Sequence, residues 1–133
     1  IKSILDTGAM IAFGSDWSVT SANPFYQIET AITRQSATNI TALENKPVDP
    51  AQDVPLNIEQ SIDLKSAIDA FTINAAFVNK IEQETGSLEV GKYADIVVLD
   101  QNLFEIRPKD ISDTNALLTL FEGNVVHGEL SAL

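Results

Sequence analysis

Few side chains in this sequence are placed to do chemistry, and the first of them is Asp16. It follows Ala9-Met10-Ile11-Ala12-Phe13-Gly14-Ser15 and precedes Trp17. The apolar run suits a strand buried on both faces, and Gly14 and Ser15 end it so that Asp16 falls where a strand gives way to a loop. In parallel α/β proteins that end of a strand is where chemistry is done. A carboxylate there, framed by an aromatic and small residues, is a candidate metal ligand and proton carrier. The plainer reading stands beside it: an acid whose side chain caps the following turn. Trp17 reads either as the wall of a substrate pocket or as a packed loop aromatic.

The remaining reactive inventory is thin. The chain has a single histidine, His127, and no cysteine. Disulfides, thiolate zinc sites and thiol nucleophiles are therefore excluded, and a nitrogen-rich site of three ligands, as catalytic zinc needs, cannot be assembled from these residues. His127 reads as a surface or hairpin residue. Arg34 reads as a helix-surface ion-pair partner or a contact for an anionic group. Gly86 to Lys92 holds glycines and a lysine at spacings unlike a phosphate loop, and no nucleophile-elbow or dinucleotide pattern occurs.

Composition bounds the class. With 133 residues, 44% of them hydrophobic, the chain is long enough for one domain with a core. Against 19 Asp and Glu stand 8 Lys and Arg, a net charge of −11, which argues against a nucleic-acid partner because phosphate neutralisation needs clustered cations. No run approaches the roughly 18 apolar residues of a membrane helix. The compartment stays open. Ile1-Lys2-Ser3-Ile4 reads as the middle of an element, so a fragment is the expectation.

The elements that would position Asp16 follow from periodicity. A helix end over 1–6 stops at Gly8, and residues 9–14 form the strand. Asn23 then caps a helix with Pro24 at its first position, and Phe25, Ile28, Ala31 and Ile32 carry it over 24–36. From 37 to 62 periodicity disappears around Pro47, Pro50 and Pro55, and Asn39-Ile40-Thr41 fits a glycosylation pattern too short to carry weight. Asp63 caps a second helical stretch over 64–79, which Thr72-Ile73-Asn74 can break in two. Its apolar stripe reads as a packing face. Strands follow over 94–100 and 116–122, and Gly123-Asn124 fits a hairpin turn into 124–128.

Two stretches together carry a family resemblance. The first is Phe13-Gly14-Ser15-Asp16-Trp17 with Asn23-Pro24-Phe25 and Thr33-Arg34-Gln35. The second runs from Asp63-Leu64-Lys65-Ser66-Ala67-Ile68 through Phe71-Thr72-Ile73-Asn74-Ala75-Ala76 to the stretch Gly86-Ser87-Leu88-Glu89-Val90-Gly91-Lys92-Tyr93-Ala94-Asp95-Ile96-Val97-Val98-Leu99-Asp100. From about Gly8 to His127 the chain resembles the C-terminal part of the amidohydrolase superfamily. The F-G-S-D-W and N-P-F segments resemble its YtcJ-like branch, which includes N-substituted formamide deformylases.

The resemblance implies an α/β fold: the end of a (β/α)8 TIM barrel over 1–85, and over 86–133 strands of a small β-sandwich built from both chain ends. Residues 9–14 would be the last barrel strand and 24–36 its helix. It implies a metal-dependent hydrolase of non-peptide C–N bonds, acting on a small molecule, in which a divalent metal, zinc foremost, lowers the pKa of bound water. Asp16 would be metal ligand and proton shuttle, returning a proton to the departing nitrogen, and Trp17 a substrate contact. Asp95 would be a strand-entry residue tying sandwich to barrel. Ser18 stands where the branch often has Pro, and Ser66 where Glu is common, which puts loop rigidity and a helix-surface contact in doubt. The family's other ligands would lie upstream, so these residues alone are expected to be inactive and metal-free. A rival expectation is a non-catalytic regulatory or protein-binding module on a remnant of the same fold. Open sheet edges lead to an expectation of self-association or strand pairing, with no nucleic acid or membrane as partner.

Overall fold

The computed structural model describes residues 1–37 and 54–132, and the sequon and most of the aperiodic stretch lie outside them. Among these residues four α-helices, α1 (Lys2–Leu5), α2 (Pro24–Thr33), α3 (Leu64–Phe71) and α4 (Ile73–Val78), precede three strands, β1 (Ile96–Leu99), β2 (Ala116–Phe121) and β3 (Asn124–Gly128). Among the described residues the α-helices thus precede the antiparallel sheet.

Each longer helix starts on a side-chain cap. Asn23 Oδ1 accepts from the Phe25 amide at 3.0 Å, with Pro24 next to it. Such a cap satisfies an amide that has no partner inside the helix. The helix ends three residues earlier than the predicted 36, because Arg34 adopts a left-handed conformation at φ 58° and its amide turns back to the Thr30 carbonyl. Asp63 accepts from the Ser66 amide at 2.9 Å and the Ser66 hydroxyl at 2.7 Å, and these two bonds hold its carboxyl below the usual range. The second helical stretch breaks at Thr72, φ −116° and ψ −98°, giving α3 and α4. Ile28 and Ala31 of α2, Ile62, Ala67 of α3, Leu103 and Ile111 form the core cluster.

Gly86 follows the helices at φ +90° and lies against α4. A Cβ there would stand 2.7 Å from the Ala76 Cβ and 3.0 Å from the Ile73 Cα, so only glycine permits this approach. β1 then enters the sheet between two acids. Asp95 accepts from the Thr85 hydroxyl at 2.6 Å and the Glu122 amide at 2.8 Å. Asp100 accepts from the Asn115 amide and side chain, each at 3.0 Å. Donors aimed at the charged form favour it, and both carboxyls are held below the usual range, Asp95 chiefly by the Glu122 amide and Asp100 by the Asn115 amide.

The sheet has the order β1-β2-β3 with antiparallel pairing throughout. Its hairpin turns at Glu122 and Gly123, with φ 50° and 79°, the positive pair of a type I′ turn. The expected turn at Gly123-Asn124 is therefore displaced by one residue, since Asn124 already pairs with Phe121. β3 is exposed along its length.

Residues 9–14 differ most from expectation. They form no sheet ladder among the described residues, and Ala9, Met10, Ala12 and Gly14 are exposed rather than buried. A strand needs a neighbour for its amides and carbonyls, and these residues find helices instead. The Phe13 amide donates to the Ala70 carbonyl at 2.9 Å, and Asn74 Nδ2 donates to the Ile11 carbonyl at 2.9 Å. The Phe13 and Phe71 rings meet edge to face at 5.5 Å. No helix among the described residues is long and apolar enough to cross a membrane.

Candidate functional site

Asp16 lies in the turn between 9–14 and α2, in a left-handed conformation at φ 53°. Asp tolerates this region better than most residues, though at some cost. The turn closes through backbone, with the Val19 amide donating to the Asp16 carbonyl at 2.7 Å. The Asp16 carboxylate has no hydrogen-bond or ion-pair partner among the described residues. An acid serving as a turn cap would spend its side chain on a nearby amide, and this one does not.

Trp17 follows with 75% of its surface exposed, so among the described residues it is not a packed aromatic. The loop is fastened from α2: Gln27 Nε2 donates to the Thr20 hydroxyl and the Ser21 carbonyl, each at 3.1 Å, and Thr20 Oγ1 donates to the Ser15 carbonyl. Thr20 and Gln27 were not singled out by sequence reasoning. Their only signal is polarity, with Gln27 about one turn beyond the cap Asn23 and Thr20 in the loop before it.

The other candidates sit elsewhere. The Arg34 guanidinium donates through Nε to the Leu56 carbonyl at 3.1 Å while the Leu56 amide donates to the Arg34 carbonyl at 2.7 Å. Among the described residues this two-way clasp is what holds Arg34, and no ion pair joins it. His127 is exposed on β3, its Nε2 3.1 Å from the Ala116 carbonyl. A groove of about 1170 Å³ runs between α2, α3 and α4 and strands β1 and β2, lined by Phe25, Ile28, Ile73, Leu88, Val97 and Leu99 among others. Asp16 and Trp17 stand outside it.

One buried acid escaped the sequence reading. Glu29 on α2 is 2% exposed and accepts from the Ser112 amide at 2.8 Å. Burial pushes its carboxyl up, against the lowering effect of that bond. It fastens α2 to the short 3-10 helix Pro108–Asp113, away from the Asp16 loop. Among the described residues no group of three His, Cys, Asp or Glu comes close enough to hold a metal. The described side chains therefore do not by themselves fit a complete metal centre.

The sequence model of the Amidohydrolase family matches residues 1–127. The protein LONG AFTER FAR-RED 3 of Arabidopsis thaliana is 33% identical over 111 residues, 84% of this chain and 17% of its own length. An N-substituted formamide deformylase of Arthrobacter pascens is 24% identical over 123 residues, 92% of this chain and 20% of its own. An imidazolonepropionase of Kosmotoga olearia is 25% identical over 131 residues, 96% of this chain and 26% of its own. The chain thus spans about a quarter or less of these relatives. No solved structure gives a significant match.

Proposed function

The chain belongs to the amidohydrolase family, and on that premise we propose that it is the C-terminal part of a metal-dependent hydrolase of non-peptide C–N bonds, of the YtcJ-like branch. Asp16 is the proton carrier and one metal ligand of that enzyme, and Trp17 borders its substrate. The observation that carries this reading is the Asp16 carboxylate, held in a left-handed turn and left without a partner among the described residues. A carboxylate so placed can accept a proton from water and return it to a departing amine. Relatives named as a formamide deformylase and an imidazolonepropionase support an amide-like carbon as the point of attack.

In this reading residues 9–14 are the last strand of a (β/α)8 barrel, α2 its helix, and β1 to β3 part of a small sandwich. The bare apolar flank at Ala9, Met10 and Ala12 supports it, since a barrel strand without its neighbouring strands leaves apolar side chains uncovered. The remaining metal ligands belong to the rest of the proposed enzyme, and zinc is the metal we assign to it. The isolated 133 residues are then inactive.

A second reading, a non-catalytic protein-binding module, is favoured by one observation, the lack of three metal-ligating side chains together among the described residues. The discriminating observation is the coding sequence upstream of Ile1. An in-frame His-x-His supports the enzyme, and a start codon beside Ile1 supports the module. The test of the first reading is turnover of N-substituted formamides, imidazolones and related amides by the intact enzyme, before and after Asp16→Asn. Unchanged hydrolysis and metal content would reject it.

A further inference from the structure

The loop that carries Asp16 is held from one side by a two-step relay. Gln27 Nε2 donates to Thr20 Oγ1 and to the Ser21 carbonyl, each at 3.1 Å. A carbonyl can only accept, so the contact with Ser21 fixes which end of the Gln27 amide faces the loop. The Thr20 hydroxyl accepts from Gln27 and passes its own proton toward the Ser15 carbonyl. That carbonyl belongs to the planar peptide group whose nitrogen is that of Asp16. Fixing it fixes the plane from which the Asp16 side chain departs.

The conformation so held is one that an L-residue leaves when it can. Asp16 sits at φ 53°, where Cβ crowds the following carbonyl. Something must hold it there, and the Val19 amide on the Asp16 carbonyl is one such contact. The relay supplies the other, and its fixed end is firm. Gln27 lies one residue before the buried Ile28, on a helix whose start is capped by Asn23.

We infer that Thr20 and Gln27 are positioning residues for Asp16: the chain from Gln27 amide to Thr20 hydroxyl to Ser15 carbonyl holds the left-handed turn and so aims the carboxylate. This rests on the proposed role of Asp16. Outer partners that orient a reacting or ligating group act on the step that group serves, and losing one typically costs 10–100-fold in activity or metal affinity.

The test uses the intact enzyme with Thr20→Val, which keeps the shape and removes the hydroxyl, and Thr20→Ser, which restores it. Hydrogen exchange over residues 15–21 is measured together with kcat and KM. Thr20→Val is expected to speed exchange in the loop with α2 unchanged, and to lower kcat about 10–100-fold with KM little altered. Thr20→Ser is expected to recover both. Wild-type exchange in Thr20→Val overturns the relay. Faster exchange with unchanged kcat overturns its bearing on Asp16. Asp16→Asn, run alongside, separates the two levels. If it retains full turnover, the role of Asp16 fails, and the loop exchange alone then decides whether the relay holds the turn.

Discussion

Glu29 and Ser112, 83 residues apart in sequence, meet in a buried hydrogen bond of 2.8 Å, the Ser112 amide donating to Glu29 Oε2. It joins the helix after the Asp16 loop to the turn before the sheet's second strand. A buried carboxylate with one amide donor remains costly to ionise.

That cost gives a pH dependence of known sign. Burial raises the Glu29 carboxyl above its ordinary 4.5. The folded chain therefore holds this proton to higher pH than the unfolded chain does. The stabilising contribution is complete below the unfolded pKa and is lost as pH rises through the folded one. Glu29→Gln keeps an acceptor for Ser112 without the charge. It is expected to be more stable than wild type at neutral pH, with the difference vanishing in acid. Glu29→Ala orphans the amide and is expected to cost about 1–3 kcal/mol throughout. Urea titrations across pH check both, and a Glu29→Gln variant weaker than wild type at neutral pH would contradict the sign.

Two glycines separate contact from conformation. Gly86 and Gly91 both have positive φ, but a Cβ on Gly91 meets nothing within 4 Å, whereas on Gly86 it meets Ala76 at 2.7 Å. Gly91→Ala is expected to cost about 1–2 kcal/mol for backbone alone. Gly86→Ala is expected to cost about 1–3 kcal/mol more for overpacking. Equal losses in thermal melts would show that α4 yields freely.

Trp17, exposed beside Asp16, is proposed to border the substrate. Trp17→Ala in the intact enzyme is then expected to raise KM with kcat little changed, because it removes binding shared by ground and transition states. An unchanged KM across the substrate panel would remove Trp17 from the site.

Among the described residues β1 and β3 each have a single strand neighbour, and β3 exposes Val125 and Val126. An open edge of this kind invites pairing, and we propose that it pairs with a second copy of the 133-residue chain. Light scattering is expected to show concentration-dependent association that Val126→Lys weakens. A strict monomer at high concentration would count against it.

What was legible in the sequence is what local chemistry dictates. Asn23 and Asp63 announce their helices because a cap and its amides lie within three residues of each other, and Thr72-Ile73-Asn74 marks a break within one turn. The β-branched run at Ile96-Val97-Val98 and the glycine at 123 mark strand and hairpin. The turn is misplaced by one because Gly-Asn resembles a favoured pair, whereas the register puts Glu122 at positive φ. What was not legible depends on distant partners. Glu29 sits among Phe25, Ile28 and Ile32 as a charge out of place, but only Ser112 explains it. The exposure of Ala9, Met10, Ala12 and Gly14 depends on which elements pack beside them, and among the described residues their segment bonds to α3 and α4. The candidate site was half legible. Asp16 is a candidate by type and position, while the unpartnered state of its carboxylate among the described residues and the Thr20–Gln27 fastening emerge only from the fold.

Asp16 is proposed to carry the proton and bind the metal in the intact enzyme. The most direct measurement is kcat/KM for a formamide-type substrate together with metal content, for wild type and Asp16→Asn. A loss of about 10²–10⁴-fold is expected, the range for a general acid–base group, with less metal retained. Wild-type turnover and full metal content in Asp16→Asn would contradict it.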